Sequence, residues 1–274
     1  MKQYQAFTKG FLLLLTPCIA SSILAASPSQ AATLARSEGV LEFTRFSQSP
    51  SGTGTATNTN TVTIANNGMV NAFANAEATF IVAPPTASNL SLSLAFGEGR
   101  DYLGLAESEV TVIGNFDVDA NTPFSFDFKS NLKLETSIDN PQAENARAAG
   151  DISLALLDTA SNSTIDFFSL MGNLTTPGDD DFIAYQKSNN ISLGNPVTTS
   201  NFGGNQESAT ASVQGSLQRY FDSKTSLSLI EVKRNQARVT APEPSTCLAL
   251  LFSCGVIGVA SKGRRKEKTS ACSL

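Results

Sequence analysis

Residues 32 to 240 read as strands. Apolar and polar positions alternate with period two, which puts one face of each segment in a core and the other in water. The clearest run is Phe124 to Glu135, where Phe124, Phe126, Phe128, Leu132 and Leu134 share one parity. Ser125, Asp127, Lys129, Asn131, Lys133 and Glu135 share the other. At roughly 3.3 Å per residue the run spans about 40 Å, so a bend is expected near Ser130. Leu90, Leu92, Leu94 and Phe96 alternate with Ser91, Ser93 and Ala95, and Val110, Val112, Phe116 and Val118 form another apolar face. Ile152 to Asp158 and Thr164 to Met171 flank a polar hairpin loop, Thr159 to Ser163. In Ser208 to Tyr220 the apolar parity is Ala209, Ala211, Val213 and Leu217. In Ser226 to Val239, Leu227 and Leu229 give way to Ile230 and Val232, a parity change that predicts a bulge. Thr61 to Ala65 and Val70 to Val82 are expected to pair around a tight turn at Asn66-Asn67-Gly68. Only Asn140 to Ala149 reads as helix, and the low-complexity stretch Ser47 to Asn60 reads as a mobile loop. About nine strands with polar turns predict an all-β fold, an antiparallel β-sandwich of jelly-roll type.

The two ends break this pattern. Lys2 and Lys9 precede an apolar stretch from Phe11 through Ile23, Leu24 and Ala26. Ser29-Gln30-Ala31 then fits the small-x-small rule for a signal peptide cut after Ala31. Residues 1–31 are thus an expected signal helix. Cys18 follows Leu15-Thr16-Pro17, and the proline before it fits a lipoprotein box badly. At the other end Pro242-Glu243-Pro244-Ser245 precedes a charge-free apolar helix, Thr246 to Ala260, and then Arg264, Arg265 and Lys266. A stable membrane span needs about 20 apolar residues, so this run is short for a permanent anchor, and the basic cluster would stay cytoplasmic.

The sequence P-E-P-S-T, an apolar run carrying Gly255 and Gly258, and G-R-R-K together resemble the PEP-CTERM sorting signal. The resemblance covers about residues 241–268. It implies recognition of Pro242, Glu243, Pro244 and Ser245 by an exosortase-type membrane enzyme. It also implies a transient membrane anchor with Arg264, Arg265 and Lys266 as its basic stop. Delivery would then be to the cell surface or the exopolysaccharide matrix of a biofilm-forming bacterium. It says nothing about residues 32–240, the delivered cargo.

Composition narrows what that cargo does. The chain has no histidine and no tryptophan, which excludes His triads, His metal sites and a histidine switch. Cys18, Cys247, Cys254 and Cys272 all fall in the two end segments, so disulfide and zinc frameworks are excluded for the cargo. The cargo holds 12 basic against 22 acidic residues, about −10, which argues against nucleic acid. Gly178-Asp179-Asp180-Asp181-Phe182 is the densest acidic cluster, and Asp179 and Asp181 are candidate Ca²⁺ ligands. A solvated acidic turn is the competing reading. Glu98, Asp101, Glu107 and Glu109 form a looser acidic set. Only Tyr102, Tyr185 and Tyr220 are available in the cargo to stack on a sugar. No nucleotide loop, nucleophile elbow or dinucleotide motif is present, so no enzymatic role is expected. The expected function is structural or adhesive, with a calcium-assisted glycan-binding module as the alternative, a glycan-active enzyme using paired carboxylates ranked behind both, and exopolysaccharide as the partner. Replacing Glu243 with Ala should block processing of the tail. Immunoblotting of cell and medium fractions checks this, and unchanged release of the variant counts against the sorting assignment.

Overall fold

A computed structural model describes residues 32–241. The expected signal segment with Ala31, and the expected sorting segment with Pro242, Glu243, Pro244, Ser245, Arg264, Arg265 and Lys266, lie outside the described residues. Eleven strands follow in order: β1 (Ala32–Thr44), β2 (Gly52–Val82), β3 (Pro85–Val118), β4 (Thr122–Ser137), β5 (Asn145–Asp158) and β6 (Ser163–Thr176). Then come β7 (Phe182–Lys187), β8 (Ile191–Leu193), β9 (Val197–Asn201), β10 (Gln206–Phe221) and β11 (Thr225–Ala241). The described residues contain no helix. The all-β antiparallel expectation therefore holds.

All the strands belong to one sheet, in the order β7-β6-β5-β11-β3-β1-β4-β10-β8, with β2 on β3 and β9 on β10. The sheet is organised by the β2–β3 hairpin. β2 pairs with nearly the whole of β3, from Val82↔Pro85 to Gly52↔Asn115. On its other side β3 pairs first with β1, over Ala87 to Glu98, and then with β11, over Tyr102 to Val118. One strand thus belongs to both halves of the sheet, and the halves curl over each other into a nearly closed barrel. The change of neighbour falls at Gly99, Arg100 and Asp101. Gly99 has φ +91° and Asp101 φ +52°, and the buried parity switches there. Residues 87 to 97 bury their odd positions, and 102 to 118 bury their even ones. Gly68 of β2 lies against this bend: a Cβ there would stand 2.4 Å from the Glu98 carbonyl oxygen.

Aromatic packing holds the halves together at one end. Phe128 of β4 lies 4.9 Å from Phe168 of β6, and Phe116 of β3 lies 4.8 Å from Phe124 of β4. Such pairs contribute about 0.5–1.5 kcal/mol each beyond the area they bury. The inward face read for residues 124–135 is confirmed, with Phe124, Phe126, Phe128, Leu132 and Leu134 all buried. β4 runs unbroken through Ser130, so the expected bend is replaced by continuous pairing to β1 and β10. A second, smaller cluster of Ala35, Ala95, Ile138, Ala237, Val239 and their neighbours closes the opposite end.

Several local expectations are corrected. Of Ser47 to Asn60 only Ser47 to Ser51 is a loop, because from Gly52 onward the residues pair with β3. Asn66-Asn67-Gly68 is a bend within one long strand, and the reversal comes at Ala83-Pro84. Asn140 to Ala149 is a turn followed by β5, where period two buries Ala146 and Ala148. Its alanines fit a helix by propensity, but a slot beside β11 overrides propensity. The bulge expected in the last strand is absent. β11 pairs without slippage to β3 and β5, and the irregularity lies between β5 and β6 at Leu156/Leu157. A Gly68→Ala change should cost about 1–3 kcal/mol through its clash with β3 backbone. Gly54→Ala in the same strand, where a Cβ meets nothing closer than 3.9 Å, should be near neutral; urea melts of the two variants compare them.

Candidate functional site

Two regions gather chemistry: an open groove on the outer surface, and a polar belt inside the barrel. The groove holds about 1140 Å³ and is walled by Asn60, Glu107, Glu109, Arg147, Arg234 and the Asp179–Asp181 turn, with Phe182 at its rim. It unites two sets that the sequence left apart, the aspartate cluster and two members of the looser acidic set. Glu98 and Asp101 stay out of it. Asp101 instead accepts from Asn66 Nδ2 at 2.6 Å beside the bend. Glu107 accepts from Asn60 Nδ2 at 3.1 Å and Gln236 Nε2 at 2.8 Å, and these bonds hold its carboxyl below the usual range. Glu109 pairs with Arg234 at 3.2 Å.

Of the calcium candidates, Asp181 already has a structural task. Its Oδ1 accepts the Thr175 amide at 2.8 Å, which ties the turn to the end of β6. Asp180 contributes only its backbone carbonyl, to Asn173 Nδ2 at 2.7 Å. Asp179 lies on the groove wall with no hydrogen bond to its side chain among the described residues. No group of three or more acidic or sulfur side chains is arranged to hold a metal among the described residues. The three tyrosines also separate. Tyr102 is buried, hydrogen-bonded to Thr33 Oγ1 at 2.5 Å, and burial pushes its hydroxyl up to about 12. Tyr185 and Tyr220 are exposed.

The belt lies between the two apolar clusters. Along β11 the inward residues run Leu227, Leu229, Glu231, Lys233, Asn235, Ala237, Val239. The middle three are polar, and each is at most 2% exposed. Facing them, β3 turns Asn89, Ser91 and Ser93 inward, and Leu90, Leu92 and Leu94 lie half-buried on the outside. The leucine face of this strand is therefore not the core face. Asn89 Nδ2 donates to Glu231 Oε2 at 2.6 Å, and Lys233 Nζ donates to Asn89 Oδ1. Asn235 Nδ2 donates to the Ser91 carbonyl at 3.0 Å, and Ser93 Oγ donates to the Asn235 carbonyl at 2.9 Å. Every neighbour of the Glu231 and Lys233 backbone in the sheet is apolar: Val112 and Leu154 beside Glu231, Val110 and Ile152 beside Lys233.

Such surroundings disfavour charge. Burial is the largest cause for both groups, raising Glu231 to about 8 and lowering Lys233 to about 7. Both shifts run the same way: the apolar surroundings favour the uncharged carboxyl and the uncharged amine over the charged pair. No ion pair joins Glu231 to Lys233 among the described residues; the amine is held by the asparagine instead. Glu231 Oε1 has no partner. Gly39 of β1 makes room for the lysine, since a Cβ there would stand 2.7 Å from Lys233 Cδ.

No protein-family model, curated protein or solved structure matches the chain.

The expectation of a bulge hid the belt. Strict period two from Leu227 to Val239 would have exposed it, because Ala237 and Val239 return to the parity of Leu227 and Leu229. A Gly39→Ala variant should lose about 1–3 kcal/mol, because its methyl displaces a side chain with no other space to enter. Chemical denaturation with an unchanged slope is the measurement, and an unaffected midpoint would dispose of the niche.

Proposed function

We propose that the chain is an exported protein of the cell surface or extracellular matrix, sorted through its PEP-CTERM-like tail by an exosortase-type enzyme. In this reading the cargo is a sandwich-like body with a structural or adhesive role and no catalytic one. Its membrane contact is transient, through the apolar helix. One observation carries the adhesive part, the free edge of β2. Among the described residues β2 pairs only with β3, so its second row of backbone donors and acceptors is open along 31 residues. Edge strands in proteins that stay monomeric are usually short, charged or covered. This one carries a single charge, Glu77, in a domain of about −10. It also exposes Ile64, Met69, Phe73 and Ile81. A second copy of the chain is the partner that fits. Two β2 edges can pair antiparallel about a two-fold axis, each supplying what the other lacks, with little like-charge repulsion along the seam.

A second reading rests on the groove. Its arginines, carboxylates and amides, with Phe182 beside them, are groups that hydrogen-bond and pack against a sugar. Calcium-assisted glycan binding at Asp179 and Asp181 belongs to that reading.

Introducing Ile64→Lys and Phe73→Lys together places like charges face to face across the seam. Self-association of the exported protein, followed by light scattering against concentration, should weaken at least tenfold, and stability should change by no more than about 0.5 kcal/mol. Chains that stay monomeric before mutation, or associate equally after it, overturn the edge reading. Specific sugar binding on a glycan array, lost in Arg147→Ala, would favour the groove.

A further inference from the structure

We propose that the belt is a cross-linking site: Lys233 Nζ and Asn89 Cγ become joined by an amide bond, with Glu231 as the acid–base catalyst.

The geometry supplies each part. Asn89 stands in the half of the sheet built on β1, and Lys233 in the half built on β11. The amine is hydrogen-bonded to Oδ1, the oxygen of the carbonyl it would attack. The same asparagine gives its amide hydrogen to Glu231 at 2.6 Å, so the leaving nitrogen already touches the carboxyl. All three residues are buried, at 0%, 4% and 0% exposed for Lys233, Asn89 and Glu231. Gly39 is bare where the lysine stem passes. A buried lysine that merely balanced a buried glutamate would be expected to touch it. This one touches an amide.

Chemistry follows from that arrangement. An amine attacks a carbonyl only when it carries no proton, and burial among apolar residues favours that state. Burial equally favours a protonated carboxyl. Asp151 is the other acidic group whose charge bears on Glu231, and it adds to the same direction. The Nζ lone pair forms the new C–N bond, and the carbonyl pair moves to Oδ1. Glu231 gives its proton to Nδ2 and takes one from Nζ in return. The carbonyl re-forms as the Cγ–Nδ2 bond breaks, and ammonia leaves. The carboxyl ends as it began, and no oxidant, reductant or cofactor is needed. Holding the reactants in one cavity replaces a slow bimolecular encounter with an intramolecular one. The product binds the two halves of the sheet covalently, in a domain that holds no cysteine to do so.

Mass spectrometry of the exported chain tests this. The expected result is a mass short by one ammonia and, after proteolysis, a branched peptide joining the segments around Asn89 and Lys233. The branch is the deciding signal, because an asparagine that closes on its own backbone also loses ammonia. Recovery of both residues on linear peptides from the folded protein overturns the proposal without recourse to any variant. Glu231→Gln keeps the size and an acceptor oxygen but cannot shuttle the proton, so the branched peptide should fall at least tenfold. An undiminished yield would overturn the role given to Glu231. Lys233→Arg should restore the full mass.

Discussion

The fold depends on β3 being long enough to serve two halves of one sheet. A strand shared in this way must bend, and bending at Gly99 to Asp101 switches which parity faces inward. Everything inside follows from that switch. On one side it buries Val110, Val112, Phe116 and Val118, as their chemistry dictates. On the other it turns Asn89, Ser91 and Ser93 inward and leaves the leucines between them half-covered outside. β11 meets these residues with Glu231, Lys233 and Asn235 on its own inward face. The polar belt is therefore a consequence of backbone continuity, tolerated because most of its groups find partners.

That tolerance has an energetic reading. Isolated charges at these positions would be expensive. Replacing a buried polar set with well-packed apolar residues is often neutral or better for stability. The series of hydrogen bonds from Lys233 through Asn89 to Glu231 lowers the cost, but Glu231 Oε1 and Ser91 Oγ still lack partners. Groups left in this state are unusual in a core, and they lie where the amine, amide and acid converge. A domain without cysteine between residues 32 and 241 would gain from the proposed covalent tie between its halves. The open edge of β2 lies on the same hairpin as Asn89, so load passed along that edge would run into the strand that the proposed tie holds.

The outer groove illustrates how far composition carries a site. The acidic turn at Asp179–Asp181 was visible as a cluster, but its carboxylates have divided tasks. Asp181 caps a backbone amide and Asp180 uses only its carbonyl. Glu107 and Glu109 were visible as acidic residues, and only the pairing of β3 with β2 and β11 brings them to the same surface as the turn. Arg147 and Arg234, which complete the wall, are unremarkable in the sequence.

Period two and polar turns between residues 32 and 240 were enough to determine an antiparallel all-β domain and to name the phenylalanine face of β4 as core. These are properties of single strands, and the alternation of side chains about one backbone is written locally. Which face of β3 and β11 lies inside was decided only by tertiary structure. It depends on a bend shared by two strands and on pairing between residues up to 144 apart. The same holds for the unbroken length of β2, whose threonines and asparagines have no strand signal until β3 lies beside them. Local pattern reports what a residue prefers; register and bend decide what it meets, and the lysine, glutamate and asparagine of the belt meet because the backbone leaves them no other face.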